Sequence, residues 1–418
     1  MKKICYLIFV FTASYAFSGS AQKLISINSI LDSIQSGNPS LKMYDAEIRS
    51  MDEAAKGAKS WMAPEVSTGF FMVPYFPRYW KSMDGQPGMG LYTVALQQTI
   101  PNPKRLNADY SYMSAMSSVE KERKEYVLNQ LFAEAKKNYY QWIVLKKQIL
   151  ILDENEKLVN YMIQSAEIRY KNGLEKINAY YKAKAALAKV QNMRIMLENE
   201  IIQKKYNINT LMYRDKTIDF DIDTSYTIND YQKLAFDSTL FVTGKSDIKA
   251  IDREIYVNEL KQETERARLL PEFGFRFENM YGWARQPMQF TAMAMVRLPM
   301  AFWSAKMNKA NIQSLKWKNE SLRFQKEMVV NESTGMAYGM RTDILNKVKQ
   351  IKLYEEKIMP ALIRNYKAYQ LSYEQNTEEL FELFDAWETL NMTQIDYLNQ
   401  LQALLTMQVE LERIIQVK

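Results

Sequence analysis

Histidine is missing from the 418-residue chain, and cysteine occurs once, at Cys5. These absences exclude zinc sites built from imidazole and thiolate ligands, and they exclude nucleophilic pairs such as Ser-His or Cys-His. A single cysteine cannot form an intramolecular disulfide. The glycine motifs that bind phosphates and dinucleotides are also missing. The sequence therefore predicts a protein that is not an enzyme and that carries no cofactor.

Proline and glycine are scarce across a long central segment. Between Pro103 and Pro271 the chain has no proline, and Gly173 is the main interruption by glycine. Apolar residues there recur in steps of three and four, which is typical of packed, coiled-coil-like helices. We predict a helix over about 104–170, on the order of 100 Å long at 1.5 Å per residue, and a returning helix over about 177–213.

Long apolar runs are limited to the N-terminus. Lys2 and Lys3 precede an apolar run at residues 4–17, and small residues follow at 18–21. This order predicts a cleaved secretory signal peptide over residues 1–21, and an uncleaved anchor is the alternative. No later segment offers the roughly 20 apolar residues of a spanning helix, so any membrane crossing is expected to use strands. The net charge of +7 is small for this length, and we predict no nucleic-acid partner.

The mature chain consists of two similar halves. Residues 40–65 and 247–272 align without a gap, with Asp45 opposite Asp252 and the dipeptide Pro-Glu ending both copies. Each copy continues into two strand-like runs and then into a long helical pattern. We interpret the chain as two repeats and a linker, at residues 22–213, 244–418 and 214–243. The helical features predicted for the second repeat are a helix over about 305–372 with a kink at Pro360, a tip at 375–377 and a returning helix over about 379–416.

Four runs alternate between apolar and polar residues, as half-buried strands do. The clearest places Phe273, Phe275 and Phe277 alternately with Arg276 and Glu278. The other runs lie at 66–73, 92–97 and 290–298. The runs are about six to nine residues long, close to the length of a membrane-spanning β-strand. Two ordinary soluble hairpins are the alternative interpretation.

Four strands cannot close a barrel, and lipid does not tolerate unpaired strand edges. Bacterial barrels have at least about 8 strands, so we predict that three copies share one barrel of about 12. In that barrel, Arg276, Glu278 and Arg297 are expected to line the lumen. Met293 and Met295 lie on the strand face of Arg297, and thioethers suit soft metal ions. They are candidates for metal contact, and the alternative is that these methionines fill irregular packing.

Several motifs together resemble one protein family. Asn38-Pro39-x-Leu41 opens an early helix, Arg169-Tyr170-x-x-Gly173-Leu174 marks the first tip, and Tyr373-x-x-Asn376-Thr377 marks the second. Their order, with the duplicated Pro-Glu dipeptide, resembles the TolC family of outer-membrane efflux proteins over essentially the whole mature chain. The strand–helix junctions at 98–105 and 297–302 resemble its heavy-metal cation-efflux branch, the CusC/CzcC-like proteins, although Asn102 replaces the usual glycine.

The resemblance implies a fold that is mainly α with a small β part, built from long duplicated helical hairpins and two β-hairpins per chain. It implies a homotrimer, with a 12-stranded barrel in the outer-membrane lipid on an α-helical barrel in the periplasm. Such a trimer is a passive duct for metal cations or small toxic compounds. The partners it implies are a periplasmic adaptor (membrane fusion protein) and an inner-membrane pump of the RND type.

The resemblance also implies roles for residues at the tips. The residues that match the periplasmic gate are Tyr373, Glu382 and Asp385. The residues that match the adaptor-docking tips are Gly173, Leu174, Asn376 and Thr377. Glu382 and Asp385 are one helical turn apart, and threefold symmetry would gather six such carboxylates, which favour cations. The alternatives are a solvated helix face, since Glu378 is also acidic, and turns that need Gly or Asn for their conformation alone.

Two further functions stay open at this point. One is a drug-efflux or type I secretion duct of the same family. The other is a periplasmic coiled-coil scaffold or adaptor that never enters the membrane. An adaptor would show one hairpin, whereas this sequence predicts two at matched positions.

Overall fold

The structure, a computed structural model, describes residues 24–232 and 238–416. The predicted signal peptide lies outside the described residues. The helices are α1 (Ile27–Gly37), α2 (Pro39–Lys56), α3 (Pro103–Lys171), α4 (Ile177–Leu211), α5 (Ser238–Gly244), α6 (Ser246–Ala267), α7 (Lys306–Leu353), α8 (Met359–Glu374) and α9 (Leu380–Ile415). The strands are β1 (Leu24–Ile25), β2 (Glu65–Phe71), β3 (Leu91–Ile100), β4 (Asp221–Ile222), β5 (Glu272–Gly282) and β6 (Gln289–Arg297). The predicted class, mainly α with two β-hairpins, is confirmed.

Helix boundaries follow the capping rules. Asn38 precedes α2 in an extended conformation, and its side chain accepts a hydrogen bond from Ser40 N at 2.9 Å. Pro39 occupies the first turn, where no hydrogen bond from its nitrogen is needed. The Asn38-Pro39 dipeptide therefore starts α2 by its own chemistry.

The long helix differs between the halves of the chain. In the first half, α3 continues through 69 residues. In the second half, the same stretch is divided into α7 of 48 residues, a π-helical segment of 5 at Tyr354–Ile358, and α8 of 16. Pro360 lacks an N–H and its ring crowds the carbonyl of Glu356, so a wider turn just before it relieves the clash. The predicted kink at Pro360 is thus a π-helical segment.

The chain forms two compact units, each of which takes segments from both halves. The first, which we call the tip unit, comprises the described residues of 1–36, 135–228 and 354–402. The second, which we call the sheet unit, comprises the described residues of 37–134, 229–353 and 403–418.

The core of the tip unit lies between four helices. Buried apolar side chains of α3, α4, α8 and α9 form one cluster, which includes Leu152, Val159, Ala183, Leu383 and Trp387. In the same unit, β1 pairs in parallel with β4, Leu24 opposite Asp221. No sequence pattern predicted this pairing, because two residues are too few to show alternation.

The sheet unit contains one antiparallel sheet of four strands in the order β2-β3-β5-β6. The two β-hairpins of the chain therefore join through β3 and β5, with Leu96 opposite Phe277. β2 and β6 form the edges.

The two faces of this sheet differ sharply in polarity. One row across the strands reads Val66, Leu96, Phe277 and Ala292. The adjacent row reads Glu65, Gln97, Arg276 and Met293. Successive residues of a strand point to opposite faces, so the sheet has an apolar face and a polar face. The apolar face is exposed in this chain, and its most exposed residues are Val66, Phe70, Phe273 and Phe290.

The duplication reappears in the sheet unit as two matched ion pairs. Lys124 Nζ of α3 lies 2.5 Å from Asp45 Oδ1 of α2. Lys326 Nζ of α7 lies 2.7 Å from Asp252 Oδ1 of α6. Asp45 and Asp252 are the aspartates that align in the repeated sequence. Each short helix is therefore tied to the long helix of its own half in the same way.

Candidate functional site

The first helical tip is a Schellman turn. Gly173 N–H donates to Tyr170 O at 2.9 Å, and Leu174 N–H donates to Arg169 O at 2.8 Å. These bonds satisfy carbonyls at the end of α3 and require a left-handed residue between them. Gly173, at φ +72°, provides it. Leu174 is 64% exposed and places an apolar side chain at the tip.

The second tip repeats this geometry with a different residue. Asn376 N–H donates to Tyr373 O at 3.1 Å, and Thr377 N–H donates to Ser372 O at 3.0 Å. Asn376 adopts φ +57°. Asparagine tolerates this conformation better than other residues with a Cβ atom. The four predicted tip residues thus lie in two equivalent, exposed turns.

The three predicted gate residues lie in two different settings. Tyr373, at the end of α8, is only 1% exposed, and burial raises the pKa of its hydroxyl. Glu382 and Asp385, in the first turns of α9, are exposed. The structure of a single chain therefore provides a buried ring and two solvated carboxylates, on elements that share the same core.

Arg169 holds Tyr373 in its buried position. Its guanidinium carbon lies 4.2 Å from the centroid of the Tyr373 ring, and its Nη1 donates to Tyr373 O at 2.7 Å. Its Nε lies 3.9 Å from Glu175 Oε2, and the side chains are only 14% and 8% exposed. Arg169 therefore links the first tip, through Glu175, to the second, through Tyr373.

Sequence reasoning missed the role of Arg169. The residue was part of the tip motif, but its partner Tyr373 is 204 positions away in the chain. The Arg-Tyr-x-x-Gly pattern describes only the local turn. Nothing in the spacing shows which side of the turn the guanidinium occupies or what it contacts.

A reciprocal pair of tyrosine–carboxylate hydrogen bonds connects the π-helical segment to α9. The Tyr354 hydroxyl donates to Asp396, and the Tyr397 hydroxyl donates to Glu355 at 2.7 Å. Burial and the neighbouring Glu355 carboxylate raise the pKa of Tyr397, and the hydrogen bond to Asp396 raises the pKa of Tyr354. These bonds anchor the irregular segment to its neighbour in the tip unit.

The predicted lumen residues share the polar face of the sheet. Arg276 Nη2 donates to Glu278 Oε2 at 3.1 Å. Arg297 Nη1 donates at 3.3 Å to Glu272, which is 6% exposed and also accepts from Arg105. The alternation places all of them opposite the phenylalanines, as the sequence predicts. Arg105 and Glu272 were missed, because their contact joins α3 to β5.

The two methionine candidates also lie on this polar face. Met293 is opposite Arg276, and Met295 is opposite Gly274. Among the described residues, no group of three or more acidic, cysteine or histidine side chains could hold a metal ion.

Helical hairpins with matched tips and a four-stranded sheet from two β-hairpins give this chain the fold of TolC-like outer-membrane channels. The outer-membrane channel OprN matches with a TM-score of 0.74 and 14% identity, over 93% of this chain and 89% of that chain. CusC matches with a TM-score of 0.73 and 12% identity, over 96% of this chain and 95% of that chain. The outer membrane protein VceC of Vibrio cholerae matches with a TM-score of 0.72 and 14% identity, over 93% of this chain and 95% of that chain. At these identities, the likeness concerns the fold.

The sequence comparison adds a match to a family model over part of the chain. Residues 30–212 match the family described as outer membrane efflux protein. No curated protein matches the chain. The resemblance to TolC-family outer membrane efflux proteins is thereby confirmed. These proteins are transport ducts and not enzymes, which agrees with the functional class predicted from the sequence.

A further observation concerns the helices alone. Within residues 24–232 and 238–416, none is both long enough and apolar enough to span a membrane.

Proposed function

We propose that this chain is the outer-membrane duct of a tripartite efflux system. Three copies form the duct, and it passively conducts metal cations or small toxic compounds delivered by an inner-membrane pump through a periplasmic adaptor. The supporting observation is the sheet, whose exposed apolar face lies opposite a face with Arg276, Glu278 and Arg297. An apolar outside and a polar inside are what a spanning barrel requires.

The trimer follows from the edges of the sheet. β2 and β6 each offer backbone donors and acceptors, and lipid provides no partners for them. Pairing β6 of one copy with β2 of the next, three times over, closes a barrel of about 12 strands, within the range of bacterial barrels. In this assembly the polar face lines the lumen, and the tips form the periplasmic end that docks to the adaptor.

The gate is proposed at that periplasmic end. Arg169 holds the Tyr373 ring in a closed position, and Glu382 and Asp385 supply exposed carboxylates that favour cations at the aperture. A pump of the RND type and a metal cargo are proposed from the junctions at 98–105 and 297–302. Methionine contacts play no part in this cargo proposal.

The direct test combines location and assembly. The full-length gene is expressed in a Gram-negative host, the outer membrane is separated, and unheated samples are run on a denaturing gel. A heat-sensitive band at three times the chain mass in the outer-membrane fraction is the expected result. A monomer in the soluble periplasmic fraction would support the scaffold alternative and contradict the duct. Metal and drug tolerance of the same cells then separates the two classes of cargo.

A further inference from the structure

The two loops at the end of the sheet opposite the strand–helix junctions form one ordered surface. Residues 72–90 join β2 to β3, and residues 283–288 join β5 to β6. Gly88 N–H donates to Ala284 O at 3.0 Å and so connects the loops. The Trp80 indole donates at 2.8 Å to a carbonyl within its own loop. We call residues 72–90 and 283–288 together the loop surface.

Close packing makes the loop surface rigid. A Cβ atom on Gly90, which has φ +117°, would lie 2.4 Å from the ring of Trp283. A Cβ atom on Gly88 would lie 2.7 Å from the Cβ atom of Ala284 in the other loop. Both contacts are far shorter than real Cβ contacts, so only glycine allows the two loops to approach this closely.

Large aromatic side chains project from this rigid support. Tyr75 is fully exposed, Phe76 is 66% exposed, and Tyr79 and Trp80 are more than 40% exposed. Tyr75 and Phe76 therefore bury little of their area against the chain, whereas Tyr79 and Trp80 are about half-buried. An exposed aromatic cluster of this kind, on a fixed backbone, is typical of a surface that contacts a partner.

The charge of the loop surface is positive. It contains Arg78, Lys81 and Arg285, and its only acidic residue is Asp84. The Arg78 guanidinium lies 4.6 Å from the centroid of the Tyr79 ring and donates to the Tyr79 hydroxyl at 2.6 Å. The Arg78 cation is thus held beside an aromatic ring, the combination found where proteins meet charged lipid headgroups.

The apolar face of the sheet runs into the loop surface without interruption. Phe70, on the apolar face, contacts Trp283 with ring centroids 6.2 Å apart and Tyr92 with centroids 5.6 Å apart. If the apolar face lies in hydrocarbon, Trp283 and the loops beyond it lie at the level of the headgroups. The position, the aromatic rings and the charge therefore point to one kind of partner.

We propose that the loop surface binds the anionic phosphate headgroups of the surrounding membrane. Tyr75, Phe76 and Trp80 lie among the headgroups, and Arg78, Lys81 and Arg285 pair with phosphates. The proposal rests on the proposed function, which places the apolar face in lipid. Each cation near an anionic surface changes the binding constant by about fivefold.

The test measures lipid selectivity of the full chain in vesicles. The protein is reconstituted in phosphatidylcholine, and electron spin resonance gives the association constants of spin-labelled phosphatidylglycerol and phosphatidylcholine. The native chain is expected to prefer phosphatidylglycerol at least fivefold. The triple variant Arg78→Gln, Lys81→Gln, Arg285→Asn is expected to lose that preference. A triple variant with the native preference, or a native chain with none, would overturn the proposal.

Matched controls distinguish the effect of removing cations from the loop surface from the effect of removing cations elsewhere. Lys42→Ser, Lys309→Ser and Lys316→Ser together remove three exposed cations of the helices and should leave the lipid preference unchanged. The double variant Tyr75→Ser, Phe76→Ser should weaken the association of both lipids equally. Loss of the preference on adding inorganic phosphate at constant ionic strength, where screening is unchanged, would identify an isolated anion site and contradict a membrane partner.

Channel conductance in the same vesicles distinguishes failure of the headgroup proposal from failure of the proposed function. If the proposed function is wrong, the native chain neither inserts nor conducts. If only the headgroup proposal is wrong, the native chain conducts normally and shows no preference between the two lipids.

Discussion

The returning helices of the two halves, α4 and α9, begin at matched positions after their tips but carry opposite charges there. Lys176, just before α4, corresponds to Glu379, just before α9, and Lys182 of α4 corresponds to Asp385 of α9. The helices are otherwise similar, with 35 and 36 residues. Duplication has therefore kept the length and the turn geometry, while the side chains beside each tip have diverged.

The two charged regions meet in the tip unit. Lys182 Nζ lies 3.7 Å from the ring centroid of Phe381, in the first turn of α9, and 4.5 Å from that of Phe384. A basic residue of the first half thus lies beside the acidic helix of the second. The charge at the proposed gate is a balance between the halves, and the following experiments change one half at a time.

The largest effect is expected from Arg169→Ala. The variant leaves the mostly buried Glu175 without its cation and removes a hydrogen bond to Tyr373 O, which should lower the free energy of unfolding by roughly 3–5 kcal/mol. We also expect a severalfold increase in open probability, measured in planar bilayers. The control is Ser372→Ala, at the position of the second half that matches Arg169. Equal effects of the two substitutions would contradict the linking role of Arg169.

Alkaline pH should weaken the tip unit. Burial raises the pKa of Tyr139 to about 12, with the Asp223 charge adding to the shift. A tyrosine with a raised folded pKa stabilises the fold fully below pH of about 10 and loses this contribution as the pH rises towards 12. We expect a loss of roughly 2–3 kcal/mol over that range.

Urea unfolding at several pH values measures this loss. Tyr139→Phe should make the free energy of unfolding less dependent on pH above about pH 10. Tyr397→Phe should have the same effect, because the pKa of Tyr397 in the second half is also raised. Tyr256→Phe, at a half-exposed position, is the control. Alkaline curves that are the same for Tyr139→Phe and the native chain would contradict the prediction.

The gate charges are tested by ion selectivity. Glu382→Ala with Asp385→Ala should reduce the cation preference of the reconstituted channel, because fewer carboxylates face the aperture. Lys182→Ala should increase the preference. Reversal potentials in a salt gradient measure both. If the acidic double variant keeps the native reversal potential, these carboxylates do not form the gate; Glu198→Ala, on an exposed part of α4, is the control.

A smaller effect is expected from exchanging the tip residues. Gly173→Ala places a residue with a Cβ atom in a left-handed backbone conformation and should lower the free energy of unfolding by about 1–2 kcal/mol. Asn376→Gly removes that strain from the second tip and should stabilise it by up to about 1 kcal/mol. Thermal unfolding measures both. Destabilisation by Asn376→Gly would mean that the asparagine side chain contributes more than its conformation.

The smallest effect concerns the matched ion pairs. The Asp45 and Asp252 side chains are 47% and 44% exposed. Asp45→Asn and Asp252→Asn should therefore each lower the free energy of unfolding by less than about 1 kcal/mol. The two losses should be equal and should shrink in high salt. Unequal losses in a denaturant titration would show that the halves are not equivalent at these helices.

The tips show how far sequence reasoning reached at the candidate site. Gly173 and Asn376 were recognised because a left-handed cap restricts residue choice locally. Arg276 and Glu278 were placed opposite the phenylalanines because alternation along a strand is also local. Arg169, Arg105 and Glu272 were not found. Their roles depend on contacts between segments far apart in the chain.

The sequence by itself determined the helices, the four main strands, the two tips and the duplication, because periodicity, capping and turn chemistry act over a few neighbouring residues. The tertiary structure alone decided that β3 pairs with β5, that β1 pairs with β4, and that Arg169 packs on Tyr373. These contacts depend on how whole elements pack against each other. A single sequence carries no local signal for which distant groups then become neighbours.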